Sequence, residues 1–161
     1  MKTADLEIII KNLAPELYGY AYILIPDDLQ AGQLIIDATQ NFILRKKTYI
    51  DKILLADATE EVVSEIQLRL FQAIYEIAKK RFHQIQMSLN SLKDHDNFFL
   101  SLEFEEKSML YLRVRAAFDI AQIEMVMNKD RATILAFLSD ARMKMIQQVS
   151  THPKHAGVSG V

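Results

Sequence analysis

Apolar side chains recur at helical spacing in the first part of the chain. One stretch runs from about Asp5 to Ile25 and stops before Pro26, with an apolar face of Leu17, Tyr18, Ala21, Tyr22 and Leu24. A second stretch runs from about Leu29 to Lys47, with Asp27 or Asp28 placed to cap it and an inner face of Leu34, Ile35, Ala38, Phe42 and Ile43. The pattern predicts two helices joined by a short acidic turn.

A longer stripe follows, from about Glu60 to Leu89. Thr59 is placed to cap its start, and its apolar set is Val62, Ile66, Leu70, Ala73, Ile74, Ile77 and Ala78. The segment from Tyr49 to Thr59 has the pattern of a short helix or a loop. The stripe itself predicts one long amphipathic helix.

A polar stretch over residues 90–100 interrupts the helical pattern. It contains the turn-prone and charged residues Ser91, Lys93, Asp94, His95, Asp96 and Asn97. We therefore predict a helical unit over 1–89, a linker over 90–100, a second helical unit over 101–149 and a flexible tail over 150–161.

The second unit is predicted to hold three helices. They run from Leu102 to about Arg115, from Ile120 to Met127, and from Arg131 to about Val149. Asp119 and Asp130 are suited to cap the last two, and Asn128 to end one in the left-handed conformation. A helix, a three-residue turn and a helix form the sequence pattern of a helix-turn-helix, although other helical hairpins share it.

Composition supports an all-α fold and excludes several kinds of site. The 161 residues include 4 glycines, 3 prolines and no cysteine, so tight-turned sheets are disfavoured and thiolate metal sites are excluded. His152 and His155 have no third ligand near them in sequence, so we expect no metal and no cofactor. The acidic run of Glu103, Glu105 and Glu106 matches the preference of helix N-termini for carboxylates.

No pattern in the chain indicates catalysis or membrane insertion. There is no Ser/His/Asp arrangement and no phosphate-cradling glycine loop, so we expect no enzymatic activity. The start lacks the pattern of a signal peptide, and no apolar run approaches the roughly 20 residues that span a bilayer. We expect a cytoplasmic protein. The net charge of −2 means that any DNA-binding surface is local.

Two segments, in the right order, resemble bacterial sigma factors of the extracytoplasmic-function type. Residues 17–37, with Tyr18-Gly19-Tyr20, Pro26-Asp27-Asp28 and Leu34-Ile35-Ile36-Asp37, resemble the start of sigma region 2, and residues 73–80 resemble its promoter-melting segment. Residues 102–142 can be laid on region 4 through Leu102, Leu110, Leu112, Arg113, Asp119, Ile123, Asn128, Thr133, Ile134, Leu138, Ala141 and Arg142. The resemblance covers most of the chain.

This resemblance implies two kinds of contact. The residues expected to dock on RNA polymerase core are Gln33, Leu34, Ile35 and Asp37. The residues expected to bind promoter DNA are Arg69, Lys79, Lys80, Arg81, Lys129, Arg131 and Thr133. The alternative interpretation is that these basic residues only form the solvated, cationic end of a helix.

The chain departs from the family where DNA is read. Where the family has a promoter-contacting tryptophan and asparagine, this chain has Ala73 and Lys80. The aromatic rings nearby are those of Phe71, Tyr75 and Phe82. A carboxylate, Glu124, replaces the alanine at which the two helices of the motif approach each other.

The predicted recognition helix departs in the same way. Its first turns hold Leu135, Ala136 and Phe137 where lysine, serine and arginine are expected, and apolar side chains cannot bind phosphate or a base edge. Leu135, Phe137 and Leu138 form either a protein-binding face or a helix buried on several sides. The five nearby methionines either form an adaptable binding surface or pack in the hydrophobic core.

Three hypotheses follow. The first is a sigma-like adaptor or decoy that binds a protein, such as polymerase core, an anti-sigma factor or its own copy, with weakened DNA readout. The second is a working extracytoplasmic-function sigma factor that directs polymerase to promoters. The third is a helical interaction module unrelated to sigma factors.

Overall fold

The computed structural model describes residues 3–45, 59–89 and 102–151, and within them all regular secondary structure is helical. The helices are α1 (Thr3–Leu24), α2 (Asp28–Arg45), α3 (Glu60–Leu89), α4 (Phe104–Val114), α5 (Ile120–Met127) and α6 (Arg131–Thr151). The all-α prediction is confirmed. The predicted linker, most of the 49–59 segment and nearly all of the predicted tail lie outside the described residues.

Local capping explains where α2 and α3 begin. Asp27 accepts a hydrogen bond from the Gln30 amide at 2.8 Å, which fixes the start of α2 after Pro26. Asp28, the other predicted cap, accepts a hydrogen bond from the Tyr18 hydroxyl instead. The start of α3 is held by the Val62 amide, which donates to the Thr59 hydroxyl at 3.3 Å.

The core is continuous through helices on both sides of the predicted linker. Tyr20 of α1 packs against Phe71 of α3 with ring centroids 4.9 Å apart, and against Tyr111 of α4 at 5.3 Å. Phe118, which follows α4, lies 5.1 Å from Phe71. Leu17, Leu34, Ile66, Leu112, Ile123 and Ile134 are fully buried in the same cluster. The two predicted units therefore pack against each other over a shared core.

Two predicted inner faces need correction. Leu17, Ala21 and Leu24 of α1 are buried as expected, but Tyr18 and Tyr22 are exposed and stack on each other with centroids 6.2 Å apart. Tyr20 is buried in their place, because α1 contacts α3 and α4 as well as α2 and its core face is turned toward them. In α2, Ile43 is exposed because the inward face is completed by Phe42.

Candidate interaction surfaces

The connection between α5 and α6 is a three-residue turn between two capped helices. Asp119 accepts a hydrogen bond from the Gln122 amide at 2.8 Å and so caps α5. Asn128 ends α5 in the left-handed conformation with φ of 50°. Asp130 caps α6 by accepting from both the amide and the hydroxyl of Thr133, at 3.0 and 2.7 Å. These bonds hold the pKa of Asp130 below its ordinary value. All three predicted turn residues have their expected roles.

Glu105, in the first turn of α4, forms ion pairs with two of the predicted DNA-binding lysines. Lys129, in the turn between α5 and α6, places its Nζ 2.9 Å from Glu105 Oε2. Lys79 of α3 places its Nζ 3.1 Å from Oε1, and the Tyr75 hydroxyl donates to the same oxygen at 3.4 Å. The Glu105 cluster, as we call these four residues, joins α3, α4 and the α5–α6 turn.

The charge state of Glu105 follows from this setting. Burial by itself raises the pKa of the carboxyl, but the hydrogen bonds and charges of Lys129 and Lys79 outweigh it and hold the pKa below its ordinary value. Burial, then the adjacent carboxylate, raises the pKa of Tyr75. The Lys79 ammonium also lies 5.7 Å from the centre of the Tyr75 ring, and the Lys129 ammonium 5.8 Å from that of Phe137. The cluster therefore contains two cations that are engaged within the chain.

Other predicted DNA contacts are engaged in the same way. Arg81 forms an ion pair with Asp37 of α2, and Arg69 pairs with Glu65 one turn earlier in α3 at 2.8 Å. Thr133 uses its hydroxyl on the Asp130 cap. Lys80 and Arg131 are exposed, and no ion pair of either is found among the described residues.

Two of the three aromatic residues near the segment that resembles the family's promoter-melting segment are buried. Phe71 is fully buried, Tyr75 is 2% exposed, and Phe82 is half-buried with its ring 4.7 Å from that of Phe104. A base stacks only on a ring whose face is free. Phe71 and Tyr75 therefore offer no free ring face to a base.

The predicted polymerase-docking residues do not share one surface. Leu34 is fully buried and Ile35 is half-buried, so Leu34 contributes no side-chain surface. Gln33 is exposed and donates to Asp37 at 2.9 Å. The pKa of Asp37 is lowered, first by that hydrogen bond and then by Arg81, against the opposing effect of burial. The apolar residue that α2 does expose here is Ile36, at 51%.

The predicted partner face at the start of α6 is divided. Leu135 is 46% exposed and Ala136 is exposed, so both are accessible to a partner. Phe137 is half-buried beneath Lys129, and Leu138 is buried at 4%. Leu138 therefore belongs to the core and is removed from the candidate face. The methionines divide too, with Met109 and Met127 buried and Met125, Met143 and Met145 exposed.

Sequence reasoning missed the polar interior of α4. Glu106 is buried at 4%, pairs with Lys144 of α6 and accepts from the Glu103 amide at 3.1 Å. Ser108 shares a 2.6 Å hydrogen bond with Tyr20. Burial lowers the pKa of Lys107, against the opposing charge of Glu103. The preference of helix N-termini for carboxylates explained the glutamates from the sequence. Their lysine partners lie more than twenty residues away, so no local sequence pattern reveals the pairing.

Comparison with known proteins returned no relatives. No family model matches the sequence, no curated protein matches it, and no solved structure matches the fold. The described part of the chain contains no grouping of His, Asp and Glu suited to a metal ion, and no helix in it is long and apolar enough to cross a membrane. The sigma-factor resemblance therefore stays a prediction that rests on the sequence positions alone.

Proposed function

We propose that this protein is a divergent, sigma-like regulator that acts mainly by binding other proteins, as an adaptor or decoy, with little readout of DNA. The observation that carries the proposal is the engagement of its candidate DNA-binding side chains. Arg69, Lys79, Arg81 and Lys129 all pair with carboxylates of the same chain. A cation must exchange such a partner for phosphate before it contributes to DNA affinity.

The number of free cations sets the expected DNA affinity. Of the candidate set, Lys80 and Arg131 are exposed and form no ion pair with any described residue. Each phosphate neutralised contributes about −0.9 to the slope of log K against log salt concentration, so two contacts give a slope of roughly −2. Binding of that kind is weak and does not depend on sequence.

The exposed start of α6 supports protein binding. Leu135 and Ala136 occupy the turn that a recognition helix presents to a groove, and both are accessible. Exposed apolar side chains at such a position favour a protein partner over nucleic acid. RNA polymerase core and an anti-sigma factor are the partner classes that the resemblance suggests, and a cytoplasmic location without enzymatic activity belongs to the same proposal.

Specific observations also favour each alternative. The capped three-residue turn between α5 and α6 matches the spacing of a helix-turn-helix, which favours a working sigma factor. The core shared between the two predicted units favours an unrelated helical interaction module, since a sigma factor needs two separately placed regions.

The test measures DNA and protein binding in parallel. By fluorescence anisotropy on a labelled promoter duplex at low salt, we expect weak binding with a salt slope of about −2. Glu105→Gln should strengthen this binding and steepen the slope, because it frees Lys79 and Lys129. By biolayer interferometry on purified polymerase core and on an anti-sigma domain, Leu135→Lys should weaken binding to at least one of them about tenfold.

Ile8→Lys alters an apolar residue of α1 that is 56% exposed and should leave partner binding unchanged. Sequence-specific DNA binding with a steep salt slope, or promoter-directed transcription with core polymerase, would establish the working sigma factor instead. Binding to none of these probes would favour the unrelated module.

A further inference from the structure

The ion pair between Glu106 of α4 and Lys144 of α6 joins a buried carboxylate to an accessible ammonium. The side chain of Glu106 is 5% exposed, whereas that of Lys144 is 48% exposed. One carboxylate oxygen of Glu106 accepts a hydrogen bond from Lys144, and the other accepts one from the Glu103 amide. Glu106 is therefore a buried anion whose counter-ion can be reached from solvent.

This pair lies where α6 leaves the core. The buried residues in the described part of α6 are Ile134, Leu138 and Ala141, which recur at helical spacing. Residues 142–147, which follow them, are exposed throughout. The contact of Lys144 with Glu106 therefore extends the attachment of α6 to α4 beyond the last buried apolar side chain.

The other paired lysines on α4 differ in their dependence on charge. Glu105 is 25% exposed and is shared by Lys79 and Lys129, so it keeps one cation when it loses the other. Among the described residues, Glu106 pairs with Lys144 alone. Water can replace a partner in an exposed pair, but a buried carboxylate without its cation is costly. The charge of Lys144 should therefore matter more to the fold than that of Lys79.

We propose that Lys144 is a site of acylation by an acyl phosphate, and that this modification releases the end of α6 from α4. The Lys144 ammonium first gives a proton to water, and its amine then attacks the acyl carbon. A C–N bond forms, the C–O bond to phosphate breaks, and phosphate leaves with the electron pair and the second proton. The product is an uncharged amide.

Loss of the lysine charge leaves Glu106 without a counter-ion in a buried setting. The carboxylate recovers its hydration only when water reaches it, which requires the end of α6 to move away from α4. The inference goes beyond the proposed function and does not depend on it, since the test of that function lies at Leu135, in the second turn of the same helix.

Substitutions separate the effect of charge from other effects at residue 144. Lys144→Gln, which is uncharged like the acylated side chain, should lower the folding equilibrium constant about thirtyfold in urea unfolding. Lys144→Arg keeps the charge and should change it by less than about threefold, and Lys79→Gln, the matched control, by no more than about fivefold. Adding Glu106→Gln to Lys144→Gln should restore most of the loss, because no buried charge remains.

Treatment of the full chain with acetyl phosphate tests the modification itself. Peptide mass spectrometry should find acetyl groups on Lys144 and on the exposed Lys80, which shows that the reagent is active. Amide hydrogen exchange over residues 142–147 should become roughly tenfold faster in the treated chain, while treated Lys144→Arg should show no change.

Two outcomes overturn the proposal. The first is modification of Lys80 with none at Lys144, which would show that the Glu106 pair protects the amine. The second is acetylated Lys144 with unchanged exchange in α6, or equal losses for Lys144→Gln and Lys79→Gln. Either form of the second outcome would show that the charge of Lys144 does not hold the helix.

Discussion

At the scale of single residues, the space available to a side chain at Gly19 is limited by Tyr111, 92 positions away in the sequence. The Tyr111 hydroxyl donates to the backbone carbonyl of Glu16 at 2.9 Å, and its ring packs against Tyr20 and Phe71. A Cβ on residue 19 would lie 2.6 Å from the Tyr111 hydroxyl oxygen and 3.5 Å from the ring carbon that bears it. The conflict is with the hydroxyl alone.

We therefore expect the effect of Gly19→Ala to change sign with residue 111. In the wild-type chain it should destabilise the fold, because the hydroxyl is held by its hydrogen bond and by the packed ring. In a Tyr111→Phe background it should stabilise the fold by about 0.5–1 kcal/mol, the usual advantage of alanine over glycine within a helix. A double-mutant cycle from urea unfolding measures both values. Equal effects in the two backgrounds would show that the hydroxyl is not the obstacle.

The core residues also show what the sequence could not predict at this scale. Leu17, Ala21 and Leu24 were predicted correctly because an apolar side chain at helical spacing usually faces the core. Tyr20 was missed because its burial depends on Ser108, which satisfies its hydroxyl from 88 residues away. Tyr18 and Tyr22 share its residue type but are exposed and stack on each other.

At the scale of helices and turns, the α5–α6 connection follows closely from the sequence. Asp119, Asn128 and Asp130 each act on backbone groups within four residues, so their roles are local and the bounds of α5 were predicted in full. The face that α6 exposes was predicted less well. Leu135 and Leu138 are only three residues apart, yet one is exposed and the other buried, because the packing of α6 on α4 and α5 decides it.

The left-handed conformation at residue 128 supports a prediction for the turn. Asn128→Ala should cost roughly 1 kcal/mol, because a Cβ without a local hydrogen-bonding group disfavours positive φ. Asn128→Gly should be neutral or slightly stabilising, because glycine adopts this conformation readily. Chemical denaturation of both variants gives the comparison. A loss with glycine as large as that with alanine would mean that the asparagine side chain, and not the backbone, stabilises the turn.

At the scale of the whole molecule, the Glu105 cluster connects segments that are distant in sequence. Glu105, Lys79 and Lys129 come from α4, α3 and the α5–α6 turn, and no spacing rule links them. The sequence predicted the lysines as DNA contacts because a cation's local pattern does not reveal its partner. Tertiary packing of α4 against α3 and α6 supplies that partner, which changes the charge available to a ligand.

The Glu105 cluster should stabilise the fold by an amount that depends on pH. The pKa of Glu105 is lower in the folded chain than its ordinary value, so its contribution to stability is present above the ordinary pKa and is lost as pH falls through the lowered value. Glu105→Gln should therefore reduce the free energy of unfolding by about 1 kcal/mol at pH 7, a typical magnitude for a partly exposed ion-pair network. The difference from wild type should shrink below about pH 4, as the wild-type carboxyl becomes protonated. Urea unfolding from pH 3 to pH 7 measures this, with Glu7→Gln, an exposed glutamate of α1, as the control. A stability difference that does not vary with pH would show that residue 105 acts through packing and not through its charge.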